Sequence, residues 1–197
     1  MKLHLGCGKL LISDFINIDI SGNADMNFDI KNLDIFTDNS IDEIYICHCL
    51  EHLSRKEVLC TLLEYKRVLK NGGILRISVP DLDSIISLVK ENSDNIHIVT
   101  GLLYGGQKNE YDYHKTGYNF DTLSNILIDI GFDNIQKYDT WDFLGVNYDD
   151  YSKSYIPHMD RSGKLMSLNV ICTKTNRDIV LSNKSKWFFG IIKSYDK

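Results

Sequence analysis

Short apolar runs with the composition of β-strands alternate with segments of helical periodicity, and this alternation restricts the fold more than any other feature of the chain. Strand-like runs occupy residues 2–8, 15–20, 41–47, 74–80, 135–140 and 168–173, and a further one is the stretch that ends at residues 28–30. Apolar residues recur at helical spacing within residues 58–69, 83–92 and 122–130. Strands that alternate with helices are typical of an α/β sheet with parallel pairing. We therefore predict an α/β fold.

The helix in the middle of the chain has signals at both ends. Ser54 is followed three residues later by Glu57, the spacing of a capping box that satisfies two backbone N–H groups at a helix start. Gly72 and Gly73 follow the last apolar position, and glycine at a helix end adopts the left-handed conformation at low steric cost. The sequence predicts a helix that ends at these glycines and a strand that begins at Ile74.

Composition excludes several classes of protein. The 197 residues carry a net charge of −5 without a Lys/Arg cluster, so we expect no nucleic-acid partner. No run of about 18 apolar residues is present, so we expect no transmembrane helix. The first residues lack the long apolar segment of a secretory signal, and the five cysteines are an odd, scattered number. We expect a cytoplasmic protein with reduced thiols.

Two glycines and two aspartates follow the first strands. Gly6 and Gly8 end the first strand, where a ligand could approach the backbone without a Cβ in the way. Asp19 ends the second strand, where a carboxylate can accept both hydroxyls of a ribose. Dinucleotide folds place that acid about 20 residues after the glycines, whereas Asp19 follows Gly8 by 11 residues. The spacing disfavours NAD. Asp29, near the third strand, is either an adenine contact or a loop aspartate.

An ordered set of motifs resembles the class I S-adenosylmethionine-dependent methyltransferases, and within them a small group found among surface-polysaccharide biosynthesis proteins. The set comprises LHLGCGK at residues 3–9, FINID at 15–19, DEIY at 42–45, HCLEHL at 48–53, RVLKNGG at 67–73, GGQ at 105–107, YDYH at 111–114, GF at 131–132 and SLNV at 167–170. The resemblance covers roughly residues 2–174. It implies a Rossmann-like, mostly parallel seven-stranded sheet flanked by helices.

The resemblance also implies which residues bind S-adenosylmethionine. They are His4, Gly6, Cys7, Gly8, Asp19, Ile20, Asp29, Ile30, His48, Cys49 and Leu50. Two positions depart from the usual pattern. His4 replaces the acidic residue that faces the ammonium group of the cofactor, and Lys9 follows Gly8 where the third glycine of the loop is expected.

Methyl transfer to a hydroxyl benefits from a general base. His114 is the leading candidate, and Asp112 could orient its imidazole or act as the base itself. His52 is the second candidate, with a packing role at the helix start as its structural alternative. Cys47, His48, Cys49 and His52 resemble zinc ligands in type, but no second ligand pair follows at the usual spacing, so we expect no metal.

The sequence therefore predicts a methyltransferase domain over residues 1–175 and a C-terminal tail over residues 176–197. We expect O-methylation of a sugar, or of a sugar- or nucleotide-linked intermediate of surface-glycan synthesis. The alternatives are methylation of a nitrogen or of a small phosphorylated metabolite, and a non-catalytic cofactor-binding scaffold. The tail contains lysines around Trp187–Ile192. It could pack on the core, on a partner subunit such as a second copy in a homodimer, or peripherally on a membrane surface.

Overall fold

A seven-stranded sheet forms the centre of the computed structural model, which describes residues 1–145, 148–157 and 160–192. Its strands are β1 (Lys2–Leu5), β2 (Ile16–Asp19), β3 (Met26–Asn27), β4 (Ile41–Cys47), β5 (Leu69–Pro80), β6 (Phe132–Lys137) and β9 (Ser167–Lys174). The order is β3-β2-β1-β4-β5-β9-β6. Strand β9 runs opposite to the other six, so its pairs with β5 and β6 are antiparallel and the other pairs of this sheet are parallel. The predicted mostly parallel α/β sheet is confirmed. A separate hairpin pairs β7 (Tyr155–Ile156) with β8 (Lys164–Leu165).

Five α-helices accompany the sheet in the described residues. They are α1 (Arg55–Val68), α2 (Leu82–Glu91), α3 (Thr100–Tyr104), α4 (Phe120–Asp129) and α5 (Asn183–Phe188). The capping box of α1 is formed, because Ser54 Oγ accepts from Glu57 N and a Glu57 carboxylate oxygen accepts from Ser54 N. The helix ends at Val68, earlier than predicted. Leu69 is already a strand residue that pairs with Ile41, so buried strand pairing overrides the glycine signal.

The third strand also differs from the prediction. We expected a strand in the stretch that ends at residues 28–30, but the strand already ends at Asn27; it is the pair Met26–Asn27, in parallel register with Ile18 and Asp19. Ile30 instead packs into the main apolar core, where it is 7% exposed. An apolar loop residue that fills the core is of the same type as a buried strand residue, which explains why the sequence extended this strand too far.

The connection between β1 and β2 contains no helix; all of its residues, 6–15, are described. Asn17 holds this connection from the following strand. Its side-chain Nδ2 donates to Ile12 O at 3.1 Å and to Phe15 O at 3.2 Å, and its Oδ1 accepts from Ile12 N at 2.8 Å. A single buried amide thus satisfies three backbone groups of a connection that has no helix to pair them.

The two faces of the sheet differ in chemistry. One face is apolar and packs against α1, α4 and α5. The other carries buried polar side chains, including His4, Asn17 and an ion pair in which Arg76 Nε lies 2.7 Å from Glu43 Oε1. A smaller apolar cluster covers part of this second face; its buried members are Ile12, Phe15, Tyr45 and Leu144. The helices therefore cover mainly one face of the sheet.

The described part of the C-terminal tail packs on α4. Ser182 Oγ donates to Asp129 Oδ2 at 2.5 Å, and Lys184 Nζ lies 3.3 Å from Asp121 Oδ2. Phe189 is 3% exposed, and the Phe188 ring lies 5.5 Å from the ring of Tyr118 in the core. Residues 193–197, with Lys193, lie outside the described part of the chain. No helix among the described residues has both the length and the hydropathy needed to cross a membrane.

Candidate functional site

A cavity of about 570 Å³ opens at the carboxyl ends of β1, β2 and β4. In open α/β sheets, ligands bind outside the carboxyl ends of the strands. Its lining residues are Gly6, Gly8, Asp19, Ile20, Asp29, Ile30, Lys31, His48, Cys49, His52, Leu53, Glu57, Asn109, Glu110, Tyr111, Asp112 and Lys115. We call it the donor cavity. Its volume lies within the range of small-ligand and cofactor sites.

The glycine turn closes one side of the donor cavity. Gly6 N and Cys7 N both donate to Ile18 O, at 2.8 and 3.1 Å, which fastens the turn to β2. Gly6 has a φ of +68°, and a Cβ built on it would overlap Cys49 Sγ. Gly8 has a φ of +57°, but a Cβ there would meet nothing within 4 Å. The turn therefore needs glycine at residue 6 for both conformation and space.

Asp19 stands at the edge between this turn and the cavity. Its Oδ2 accepts from Gly8 N at 2.8 Å, and its Oδ1 accepts from Ser21 N at 3.2 Å. A carboxylate has about four acceptor positions, so lone pairs of both oxygens remain for a ligand hydroxyl. The two backbone hydrogen bonds hold the side chain in place and leave it able to accept hydrogen bonds from the two hydroxyls of a diol.

Charged residues line the opposite side. Asp29 Oδ1 accepts from Lys31 N at 2.9 Å, and Lys31 Nζ lies 2.9 Å from Glu57 Oε1. The Lys31 ammonium and the Ser54 cap lower the pKa of Glu57 to about 2. The carboxylate of Glu57 is therefore ionised at neutral pH. Sequence reasoning had used Glu57 only as a helix cap and had not placed Lys31 in the site.

His48 and Cys49 follow β4 and form the floor of the cavity. His48 has a φ of +49°, an uncommon conformation for a residue other than glycine. Its N–H donates to Ser78 O at 2.8 Å, which holds this conformation. Burial raises the pKa of the Cys49 thiol well above its usual value, so the sulfur facing Gly6 is a neutral thiol.

Three residues predicted to bind the cofactor do not line this cavity. His4 is 3% exposed on the second face of the sheet, where its Nδ1 lies 3.1 Å from Asn17 Oδ1 and its ring stacks on Tyr45. Cys7 is 5% exposed, and Leu50 is completely buried in the main core. The other predicted cofactor residues all line the cavity.

A second cavity of about 600 Å³ adjoins the first. We call it the acceptor cavity. Its lining residues are His48, Glu51, His52, Ile98, Gly101, Leu102, Gly105, Gly106, Lys108, Asp112, His114, Tyr151, Ser154, Tyr155 and Ile156. His48, His52 and Asp112 line both cavities. All three predicted catalytic residues thus lie at or beside the boundary between the two spaces.

Asp112 is enclosed by the loop that precedes it. Its backbone O accepts from Gln107 N at 3.0 Å, and its Oδ2 accepts from Lys108 N at 3.2 Å. A Cβ on Gly106 would lie 2.5 Å from Asp112 Oδ2, so glycine is needed for the close approach. The paired glycines in the sequence therefore serve to position this carboxylate.

The imidazole of His114 is oriented by α3. Its Nδ1 donates to Leu102 O at 2.8 Å, which leaves the Nε2 lone pair free. That Nε2 lies 3.9 Å from Glu51 Oε1. Burial lowers the pKa of His114 below its usual value, and the Glu51 carboxylate only partly offsets this effect. His114 is therefore a neutral imidazole at physiological pH.

Glu51 is a residue for which the sequence left two roles open, hydrogen bonding on the cofactor side and a structural one. It is 1% exposed, and neither of its carboxylate oxygens makes a hydrogen bond to any described residue. Burial alone would raise its pKa, but the nearby His48 and His52 rings outweigh burial and lower it. The available signal was its place between two histidines in HCLEHL, which is equally typical of a short helix start.

Comparisons with known proteins agree on the fold. Residues 3–77 match the family model described as a methyltransferase domain. The chain is similar to an S-adenosylmethionine-dependent methyltransferase from Archaeoglobus fulgidus, with 18% identity, a TM-score of 0.57, and coverage of 88% of this chain and 85% of that one. The chain is also similar to an S-adenosylmethionine-dependent methyltransferase from Methanosarcina mazei, with 18% identity, a TM-score of 0.57, and coverage of 89% of this chain and 92% of that one.

A third similar structure holds ligands. It is the Burkholderia thailandensis 1,6-didemethyltoxoflavin-N1-methyltransferase with bound 1,6-didemethyltoxoflavin and S-adenosylhomocysteine, with 12% identity, a TM-score of 0.53, and coverage of 89% of this chain and 71% of that one. No curated protein matches the chain. At these identities the solved structures establish the fold, and together with the domain match they support S-adenosylmethionine as the cofactor.

Proposed function

We propose that this S-adenosylmethionine-dependent methyltransferase binds its cofactor in the donor cavity and methylates a hydroxyl group of a small molecule held in the acceptor cavity. The observation that carries the proposal is the shared wall of the two cavities, formed by His48, His52 and Asp112. Methyl transfer requires donor and acceptor atoms about 3 Å apart in a fixed alignment. Two adjoining cavities meet that requirement without a large rearrangement.

The donor cavity suits a nucleoside with a cationic group. Gly8 leaves open space where a Cβ would otherwise stand, and Asp19 presents free acceptor positions for a ribose diol. When bound, S-adenosylmethionine supplies an electrophilic methyl group on a sulfonium. Asp29, or the main chain around Ile30, would face the adenine, as the sequence resemblance implies.

The acceptor cavity provides both a base and contacts for a ring. His114 has a free Nε2 lone pair and is neutral at physiological pH, so it can accept the proton of a hydroxyl. Asp112 is the alternative base, and His52 the next. Tyr151 and Tyr155 line the same cavity, and aromatic faces suit sugar rings. We infer a sugar, or a sugar- or nucleotide-linked intermediate of surface-glycan synthesis, on these contacts and on the sequence resemblance.

The direct test is titration of the purified protein with S-adenosylhomocysteine. Asp19→Asn keeps one oxygen for Gly8 N but removes the charge that strengthens bonds to a ribose. Hydrogen bonds to charged groups contribute about 1.5–3 kcal/mol, so Kd should rise about 10- to 150-fold. Asp34→Ala removes an exposed aspartate outside the cavity and should leave Kd unchanged. Equal Kd values for wild type and Asp19→Asn would exclude this cavity as the cofactor site.

Methylation of a nitrogen is the second candidate, because the similar Burkholderia enzyme is named as an N1-methyltransferase. S-adenosylhomocysteine release should be measured with nucleotide-linked hexoses and with matched amines. A hydroxyl acceptor predicts a rate that falls as His114 becomes protonated, below its usual pKa of 6.5, and that His114→Gln abolishes. An amine acceptor predicts a dependence on the amine's own pKa. Binding without release of S-adenosylhomocysteine from any acceptor would indicate a scaffold protein.

A further inference from the structure

We infer that Glu51, His52 and His114 form a binding site for a divalent transition-metal ion in the wall of the acceptor cavity. One ligand atom from each of the three side chains lies within 4.8 Å of the others. Two imidazoles and one carboxylate are a ligand set for Zn²⁺ in catalytic sites and for other first-row divalent ions. Only His52 is shared with the cysteine-containing set considered in the sequence.

The two histidines are already oriented as metal ligands. His52 Nδ1 donates to Tyr113 O at 3.2 Å, and His114 Nδ1 donates to Leu102 O at 2.8 Å. Each ring therefore keeps its Nε2 lone pair free. A histidine that binds a metal nearly always donates its other ring N–H to a carbonyl or carboxylate, which fixes the ring orientation. Both imidazoles meet this condition without an ion.

Glu51 supplies the independent observation. Its carboxylate is 1% exposed, and within the described residues neither oxygen has a hydrogen-bond partner. His48 Nδ1 lies 3.4 Å from Oε1, but without hydrogen-bond alignment. His114 Nε2, at 3.9 Å, presents a lone pair to Oε1 and not a proton. A buried carboxylate facing a lone pair is unfavourable, and a cation between the two atoms removes the conflict.

The backbone holds the three ligands together across a long sequence separation. Glu51 O accepts from Lys115 N at 2.7 Å and from Thr116 N at 3.1 Å. These bonds fasten the segment that contains His114 to the turn that contains Glu51 and His52. The candidate ligand atoms lie within 4.8 Å of one another, so small side-chain movements would bring each of them to about 2.1 Å from a central ion. The rings of His52 and His114, with centroids 4.8 Å apart, face each other edge to face.

The ion would bind the acceptor, and this part rests on the proposed function. Three protein ligands leave a coordination position open toward the acceptor cavity. A hydroxyl oxygen bound there becomes more acidic, and its proton would pass to the Asp112 carboxylate, which lines the same cavity. His114 would then bind the ion and would not itself accept the proton.

The test measures metal binding without any acceptor. Protein freed of metal with a chelator is titrated with Zn²⁺ by calorimetry and with Co²⁺ by absorption spectroscopy. We expect one equivalent of each ion to bind, and His52→Gln or His114→Gln to weaken binding at least tenfold. Glu51→Gln should do the same. His97→Gln alters an exposed histidine elsewhere and should have no effect. Circular dichroism of each variant separates loss of binding from loss of folding.

Several outcomes would overturn the site. Binding that is equal in wild type and in the folded His52→Gln and His114→Gln variants would exclude these ligands. A thiolate-to-cobalt charge-transfer band would mean that cysteines hold the ion. No binding of either ion to the wild-type protein would exclude the site altogether. S-adenosylhomocysteine affinity is measured separately on the wild-type protein and on Asp19→Asn, which lies outside the metal site, so failure of the metal site and failure of the donor cavity are distinguishable.

Discussion

Substitution of Gly6 by alanine should be much more damaging than the same substitution at Gly8, although both have positive φ. The left-handed backbone costs a non-glycine residue about 1–2 kcal/mol, and this cost applies at both positions. A Cβ on Gly8 meets nothing within 4 Å. A Cβ on Gly6 overlaps Cys49 Sγ and lies 3.2 Å from Cys49 Cβ. Overpacking of this kind lowers the free energy of unfolding by a further 1–3 kcal/mol, roughly.

The expected loss in the free energy of unfolding is therefore about 1–2 kcal/mol for Gly8→Ala and about 2–5 kcal/mol for Gly6→Ala. Urea denaturation at neutral pH measures both. Cys49→Ala removes the clashing sulfur, so the double variant Gly6→Ala/Cys49→Ala should lose less than the sum of the two single losses. Equal destabilisation by the two glycine substitutions, or strict additivity in the double variant, would show that the turn relaxes and that contact with Cys49 does not restrict residue 6.

Three further predictions concern acid stability, thiol reactivity and the buried ion pair. Glu57, with a folded pKa near 2 against an ordinary 4.5, stabilises the protein above about pH 4.5, and this contribution disappears as the pH falls toward 2. Glu57→Gln should flatten the dependence of Tm on pH in that window. An alkylating reagent at pH 8 should modify Cys60 first, because it is the exposed cysteine among the five free thiols, and Cys60→Ser should remove the fast phase. Arg76→Met leaves the carboxylate of Glu43 buried without its closest partner and should cost about 3 kcal/mol in denaturant unfolding. Adding Glu43→Gln should recover part of that loss; no recovery would contradict the charge argument.

The fold was predictable where a residue pattern has one physical interpretation. The run at residues 41–47 is too short and too β-branched for a helix, and it is β4. The capping box at Ser54 and Glu57 formed as predicted. The errors arose where an apolar residue could serve two purposes. Leu69 satisfies the helical spacing of α1 but pairs with Ile41, and Ile30 has strand composition but fills the core from a loop.

The site was predictable to the extent that strand ends determine it. Gly8 and Asp19 follow from the positions of β1 and β2 alone, and both line the donor cavity. The surroundings of Glu51 could not be predicted from the strand ends, because His114 is distant in sequence. It lies near Glu51 because Lys115 N, the next backbone N–H, donates to Glu51 O. No periodicity encodes a contact of that separation. Sequence reasoning identified His114 and His52 as separate candidates and could not show that they share one carboxylate.

The helix-free connection after β1 has an electrostatic consequence for ligand selection. A helix that started at the glycine turn would direct the positive end of its dipole at the ligand, which is how nucleotide-binding folds attract a pyrophosphate. Residues 6–15 contain no helix here, and the cavity lining instead carries five carboxylates against two ammonium groups: Asp19, Asp29, Glu57, Glu110 and Asp112 against Lys31 and Lys115. Such a pocket repels phosphate groups and favours a ligand with positive charge. Because the connection contains no helix, the electrostatic field of the cavity favours a cationic ligand over an anionic one, even before the ligand makes specific contacts.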